Sequence, residues 1–251
     1  MHIFQGKDLP AADSNGLCDP YLKVSFMGQV QKTHHKKKTV YPCYYQTLTY
    51  QNIALPDAED FAYAPMLCLR LYDRDDYDED DYLGTCFFHL KDAFITEEVA
   101  SDANKEQSPS EPTIESVLQK DPTWLKFFYE VPGDSQGEVL VAVQLIPTLG
   151  KTIPKPPKDE FTVQSRDAFI EFLVVGMRDM APYMMQPIQN PFVNIELNSC
   201  GTRFATDTKK SKEPEPMNPN FLQRIVMPVK LPVNSLFTTP LLLKVSKVVA
   251  I

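Results

Sequence analysis

The sequence predicts an all-β fold, an antiparallel eight-stranded sandwich followed by a second, truncated sandwich of the same kind. Three observations predict it. Short segments alternate apolar with polar residues, as in Tyr21 to Phe26, where Leu22, Val24 and Phe26 interleave with Tyr21, Lys23 and Ser25, so one face packs and the other meets water. Twenty-two prolines against nine glycines suit a chain of strands whose turns and edges are punctuated by proline. Finally, a pattern near the start of the chain returns in its second half, the mark of an internal repeat.

In the first module, residues 1–148, strands are expected at His2 to Gln5, Tyr21 to Phe26, Val30 to Thr33, Thr47 to Ile53, Met66 to Tyr72, Tyr82 to His89, Trp124 to Tyr129 and Glu138 to Ile146. A polar insertion over residues 90–122 separates the sixth from the seventh, with a short helix expected over Leu90 to Val99 and a mobile, charged stretch over Ser101 to Pro112. Residues 149–166 read as a linker, because Lys151 to Lys158 holds three prolines and three lysines and is expected to be stiff and extended. The second module, residues 167–251, opens with Phe169 to Met180, which echoes Ile3 to Leu9 with Gly176 set against Gly6. Asn190-Pro191-Phe192-Val193-Asn194-Ile195 then echoes Asp19-Pro20-Tyr21-Leu22-Lys23-Val24, and a last strand is expected over Leu241 to Val245.

Composition excludes several classes. No apolar run reaches the length of a membrane span, and the first residues lack the regions of a signal peptide. The five cysteines, Cys18, Cys43, Cys68, Cys86 and Cys200, are odd in number and scattered, which fits free thiols in a reducing compartment better than disulfides or zinc. His34 and His35 adjoin a lysine run, and His2 and His89 stand apart, so solvated or packed histidine is the simpler reading. Residues 1–150 hold 12 Lys and Arg against 24 Asp and Glu, and the remainder holds 13 against 9. An acidic first half without an aromatic base-stacking platform argues against nucleic acid.

The chemistry sits in two acidic loops. The first carries Asp13 and Asp19, in Asp13-Ser14-Asn15-Gly16-Leu17-Cys18-Asp19-Pro20-Tyr21; the second carries Asp73, Asp75 and Asp81, followed by Gly84. Hard divalent cations take six to eight oxygen ligands, which paired carboxylates with carbonyls and water can supply. A solvated acidic loop is the plain alternative for residues 73–81, but strand-like sequence brackets it and the Asp13/Asp19 loop accompanies it. An EF-hand beginning at Asp73 would place its glycine at Asp78 and its glutamate at Gly84, and fails at both. An aspartyl-nucleophile phosphatase would need strands alternating with helices, which this pattern lacks.

These loops, the Asp-Pro-Tyr strand start and Gly84 resemble the C2 domain, an eight-stranded sandwich that binds calcium and phospholipid. The resemblance implies Asp13, Asp19, Asp73, Asp75 and Asp81 as calcium ligands, Tyr77 as a residue at the tip of the third loop that enters the headgroup layer, and Lys32, Lys36, Lys37 and Lys38 as a phosphoinositide-binding cluster. For Tyr77 and for the lysines the plain readings are a tyrosine packed on its own loop and a solvated hairpin. Tandem copies, with Ile170 to Arg178, Asn190 to Leu197, Asn218 to Phe221 and Leu231 to Leu241, and Pro42 to Leu48 in the first module, resemble the ferlins. Ferlins are tail-anchored proteins of several C2 domains that act in calcium-dependent vesicle fusion and membrane repair. The implied role is calcium-dependent binding to anionic phospholipid membranes, in the cytoplasm at a membrane surface, without catalysis. In the second copy Asn190 replaces Asp19 and residues 181–189 hold no carboxylate, so no calcium is expected there and a structural or protein-docking role is left to it. The alternative for the whole chain is a calcium-independent protein-interaction scaffold.

Overall fold

The computed structural model describes residues 1–13, 16–76, 78–96, 114, 118, 120–130, 134–147, 160–182, 185, 186, 188, 190–209, 211 and 217–247. The chain forms two compact units, Met1–Gln164 and Ser165–Ile251.

The first unit contains β1 (His2–Lys7), β2 (Pro20–Phe26), β3 (Gln29–Lys32), β4 (Cys43–Thr47), β5 (Leu67–Asp73), β6 (Asp81–Phe88), β7 (Phe94–Ile95), β8 (Thr123–Phe128), β9 (Ser135–Ala142) and β10 (Gln144–Leu145). Eight of them make one sheet in the order β3-β2-β5-β6-β8-β9-β1-β4, antiparallel at every step. The sheet curls so that its two halves face each other. Leu22, Val24, Leu67, Leu69 and Leu71 from one half then share a core with Ile3, Phe127, Val139 and Val141 from the other. Alternation produces this directly, since every second residue of β5 points inward. Gly84 lets β6 approach β8, for a Cβ there would stand 3.2 Å from both Phe127 Cβ and Phe128 O.

Two expected elements lie elsewhere. The fourth strand is Cys43–Thr47 rather than Thr47 to Ile53, and all five of its residues are buried, so it carries no alternation to read. Its outer side is covered by the chain after residue 159. Gln46 bridges to Glu160, the Phe161 amide donates to Tyr45 O at 3.1 Å, and the Phe161 ring meets His2, Phe4 and Tyr45 edge-on at 5.8, 5.1 and 5.8 Å. Residues 160–164 of the expected 149–166 linker therefore belong to the first unit. Where a helix was expected over Leu90 to Val99, there is a 3-10 turn at Leu90–Asp92 followed by β7. The Phe94 and Thr96 amides donate to Val143 O and Leu145 O at 3.0 and 2.9 Å, and pairing with β10 holds this short segment extended where an isolated helix of that length would be marginal. Residues 97–99 and Ser101 to Pro112 lie outside the described residues.

The second unit contains β11 (Ser165–Gly176), β12 (Pro191–Ser199), β13 (Thr202–Asp207), β14 (Asn220–Pro232) and β15 (Leu241–Lys247). They form a two-stranded sheet, β11-β14, and a three-stranded sheet, β13-β12-β15. Val193, Ile195 and Leu197 of β12 pack against Phe221, Met227 and Val229 of β14 and Ile170, Phe172 and Val174 of β11. Its hydrogen bonds repeat those of the first unit. The Leu22 amide donates to Thr33 Oγ1 at 3.0 Å and the Thr33 amide to Leu22 O at 3.0 Å; Val193 and Thr208 do the same at 2.8 and 2.9 Å. The Gly6 amide donates to Pro42 O at 2.8 Å and the Met177 amide to Pro219 O at 2.9 Å. Gly6 thus corresponds to Met177, not to Gly176, and Asp8 and Asp179 share a left-handed backbone at φ 53° and 52°.

Candidate metal and membrane site

Strand pairing gathers the acidic residues at one end of the first unit. Asp73 ends β5, in register with Pro20 at the start of β2 and with Asp81 at the start of β6. Three chain segments distant in sequence therefore place Asp19, Asp73 and Asp81 together. The loops are fixed by their own backbone: the Asp19 amide donates to Asp73 Oδ1 at 2.6 Å, the Lys38 amide to Asp19 Oδ1 at 2.6 Å and the Arg74 amide to Asp19 O at 3.1 Å. The Asp13 amide donates to Leu17 O and the Gly16 amide to Asp13 O, both at 3.0 Å, with Gly16 in the left-handed region at φ 76°.

The carboxylates feel one another. Asp73 is 3% exposed, and burial, with the charges of Asp13, Asp75 and Asp19, pushes it up to about 6 despite the amide hydrogen bond from Asp19. Asp75 is likewise raised, by desolvation and by Asp81, Asp13, Asp78 and Asp80. Beneath them, burial and the charges of Asp73, Asp13 and Asp19 push the Cys18 thiol up to about 12, which leaves it a packing residue rather than a reactive one. Among the described residues no group of three or more His, Cys, Asp or Glu side chains is gathered closely enough to hold a metal ion. The donor set is nonetheless all oxygen and mutually repelling, which fits a hard divalent cation and not zinc.

Around the acidic end lie groups that spacing did not single out. The Tyr21 hydroxyl donates to Asp80 Oδ2, and Tyr21 stacks on Tyr72 at 5.7 Å. Lys23 Nζ sits 3.9 Å over the Tyr72 ring and Lys32 Nζ 5.8 Å over Tyr21. Arg74 Nη1 lies 3.0 Å from His35 Nδ1, and burial and Arg74 lower the His35 pKa. The four lysines expected as one cluster divide. Lys32 ends β3 above the tyrosines, while Lys36, Lys37 and Lys38 lie between β3 and β4, where the Lys36 amide donates to Pro20 O at 3.1 Å beside the acidic loops. Lys23 was legible only as a polar-face residue of its strand, while its pairing with Lys32 and the contacts of Arg74 and Asp80 are ones that sequence spacing does not reveal. Tyr77 lies outside the described residues.

In the second unit the ladder that pairs Pro20 with Asp73 pairs Pro191 with Lys247. Asn190 and Lys247 thus hold the positions of Asp19 and Asp73, and the oxygen-rich corner is absent at both.

The C2 domain family model matches residues 1–108 and again residues 169–248. The chain belongs to the C2 domain family. It is a ferlin-like C2 protein, 25% identical over 260 residues to myoferlin of Mus musculus, covering 97% of this chain and 11% of that protein. It is also 24% identical over 238 residues to Ferlin 1 of Toxoplasma gondii, covering 92% of this chain and 15% of that one. The two C2 units therefore span a small part of the length of the curated relatives. Similar solved structures include a single C2 domain of plant Extended Synaptotagmin 1, at TM-score 0.39 and 15% identity over 55% of this chain and 86% of that one. A tandem pair of C2 domains from Extended-Synaptotagmin 2 matches at TM-score 0.37 and 15% identity, over 95% of this chain and 79% of that one.

Proposed function

We propose that the first C2 unit binds anionic phospholipid membranes in a calcium-dependent manner, as part of a ferlin-like protein acting in vesicle trafficking and membrane fusion. The observation that carries this reading is the gathering of Asp13, Asp19, Asp73, Asp75 and Asp81 into one field, where burial and like charges hold Asp73 at about 6. Carboxylates so placed repel anionic headgroups and one another, and the repulsion falls when positive charge enters among them. Bound calcium would supply that charge and coordination sites open to lipid phosphate. Lys23, Lys32 and Lys36 to Lys38 flank the acidic end and add attraction of about 1 kcal/mol each near an anionic surface. Tyr77, between Asp75 and Asp81 in the sequence, suits the headgroup layer. The role is binding at a cytoplasmic membrane surface, with no catalytic step.

Calorimetric titration of the chain with calcium, with and without phosphatidylserine vesicles, tests the reading. Calcium affinity that tightens with vesicles, by the reciprocity of linked binding, and is lost on combining Asp73→Asn with Asp75→Asn is the expected outcome. Absence of both calcium heat and vesicle binding would overturn it and leave the protein-interaction scaffold.

A further inference from the structure

The acidic loop between β5 and β6 has two stems, and they are held differently. On the β5 side, Asp73 Oδ1 accepts from the Asp19 amide at 2.6 Å and Asp19 O accepts from the Arg74 amide at 3.1 Å. On the β6 side, Asp81 and Tyr82 pair with Asp73 and Tyr72, but the ladder is interrupted just below them, where Leu71 faces Gly84 and Tyr72 faces Tyr82. On its other edge β6 meets β8 at Thr85 and Phe128. Among the described residues the start of β6 therefore has β5 as its strand neighbour and lies beyond an irregularity, and a strand end so placed opens locally at little cost.

A side chain from β2 ties this stem down. Tyr21 is 5% exposed and lies across its pairing partner Tyr72 on β5, with ring centroids 5.7 Å apart and planes 22° from parallel. Its hydroxyl donates to Asp80 Oδ2, and Tyr72 meets Tyr82 at 5.7 Å. The Tyr21 side chain thus reaches from β2 over β5 to the residue that precedes Asp81. Burial, the hydrogen bond and the charge of Asp80 raise the Tyr21 pKa, so the hydroxyl stays a donor.

The second unit shows which part of Tyr21 belongs to the frame. Pro20 pairs with Asp73 and Tyr21 with Tyr72, as Pro191 pairs with Lys247 and Phe192 with Ser246. Phe192 holds the position of Tyr21 and keeps the ring without the hydroxyl, in the unit where Asn190 and Lys247 replace Asp19 and Asp73. The ring recurs with the strands, and the hydroxyl is found only beside the acidic corner.

We propose that Tyr21 is a positioning residue for the metal corner: its hydroxyl clamps Asp80, fixes the entry to β6, and keeps the Asp81 carboxylate beside Asp73 and Asp75 while engaging Asp80 outside the ligand set. The inference rests on the calcium reading for the identity of the ion, but the clamp belongs to the chain without metal. A hydrogen bond to a charged group restrains local opening by a factor of about ten or more.

Hydrogen exchange of the 251-residue chain without calcium, native against Tyr21→Phe, reads the clamp, because the substitution keeps the ring and removes the hydroxyl. Amides over residues 80–83 should exchange about tenfold faster in the variant, with those of β1 and β9 unchanged. Calorimetry should then show calcium binding weakened about tenfold. In an Asp80→Ala chain, Tyr21→Phe should add nothing, whereas in an Asp80→Asn chain, whose amide oxygen still accepts from the hydroxyl, it should still speed exchange. Equal exchange in native and variant, acceleration spread across β1 and β9, or additive effects of Tyr21→Phe and Asp80→Ala would each overturn the proposal. So would tighter calcium binding by Tyr21→Phe, which would make Asp80 a ligand that Tyr21 withholds. A native chain that takes up no calcium would instead sink the membrane reading, and the exchange comparison would still decide whether the clamp exists.

Discussion

The two C2 units share five strands and part at two places. The Leu22–Thr33 hydrogen-bond pair recurs as Val193–Thr208, and the amide of Gly6 to Pro42 recurs as Met177 to Pro219. The acidic corner does not recur, Asn190 and Lys247 standing for Asp19 and Asp73. Nor does the burial of the central strand, since Leu69 is 0% and Leu243 63% exposed at one register position. The strand ladder and the ion loops are therefore separable: threonine and proline hydrogen bonds build the frame, and it persists where the carboxylates are gone.

Truncating that shared position should separate the units most widely. Leu69→Ala should destabilise the first unit by about 4 kcal/mol, because a buried leucine loses its transfer energy and leaves a cavity. Leu243→Ala should change the second unit by less than about 0.5 kcal/mol, as exposed substitutions do. Urea denaturation followed separately for each unit reads both, and a Leu243→Ala cost equal to that of Leu69→Ala would erase the difference in burial between the two positions.

Loss of a ligand should come next. Asp73→Asn removes the buried carboxylate at the centre of the corner, and a loss of about 3 kcal/mol, or roughly 100-fold in calcium affinity, is expected in calorimetry. The reverse change, Asn190→Asp, should confer no calcium binding on the second unit, because Lys247 holds the position of Asp73. Calcium heat from a chain that combines Asn190→Asp with Asp73→Asn and Asp75→Asn would show that one carboxylate suffices and would dissolve the distinction between the units.

What was legible in the sequence follows the same division. β2, β5 and β6 face the core on one side, so their alternation could be read, and the spacing of Asp13, Asp19, Asp73, Asp75 and Asp81 stood out beside them. β4 could not be read because Phe161, more than a hundred residues on, covers its second face and erases the alternation. The helix expected after Leu90 yielded to pairing with residues 144–145, a contact no local window contains. Setting Gly6 against Gly176 missed by one residue, since identical glycines attract an alignment while the hydrogen bond to proline carbonyl selects Met177. In the site, the lysines were visible as charges, but their division between the tyrosine stack and the loop beside Asp19 depends on how β2 and β5 pair.

Acid should distinguish the units through His2, whose counterpart is Leu173, a residue without a proton to gain. Burial first, and then the neighbouring amino-terminal charge, lower His2 to about 4, against the hydrogen bond with Gln144. A lowered histidine contributes stability that is complete above its ordinary 6.5 and is lost as pH falls toward 4, in total about 3 kcal/mol. Asp73, raised to about 6, slopes the opposite way, favouring the folded state as pH falls from 6 toward 3.8. The difference between the native chain and His2→Phe, measured by urea denaturation at pH 7 and 4.5, isolates the histidine. Equal pH slopes in the two proteins would remove it as the cause.

A finer distinction rests on a group that the second unit has and the first lacks. Glu196 is 1% exposed, with Oε2 held by Arg203 at 2.9 Å and Lys244 at 3.4 Å, while its Oε1 is buried without a hydrogen-bond partner. Its counterpart is Ser25, whose hydroxyl donates to Cys68 O at 3.5 Å. Desolvating a carboxylate offsets most of what its cations return, so replacing the carboxylate differs from stranding it. Glu196→Met, of similar volume, should shift stability by less than about 1 kcal/mol in either direction. Arg203→Ala leaves the buried charge to Lys244 alone and should cost about 2 kcal/mol. A Glu196→Met variant that loses more than the Arg203→Ala variant would show that the carboxylate holds β12, β13 and β15 together, so that the second unit relies on an ion pair where the first relies on its core.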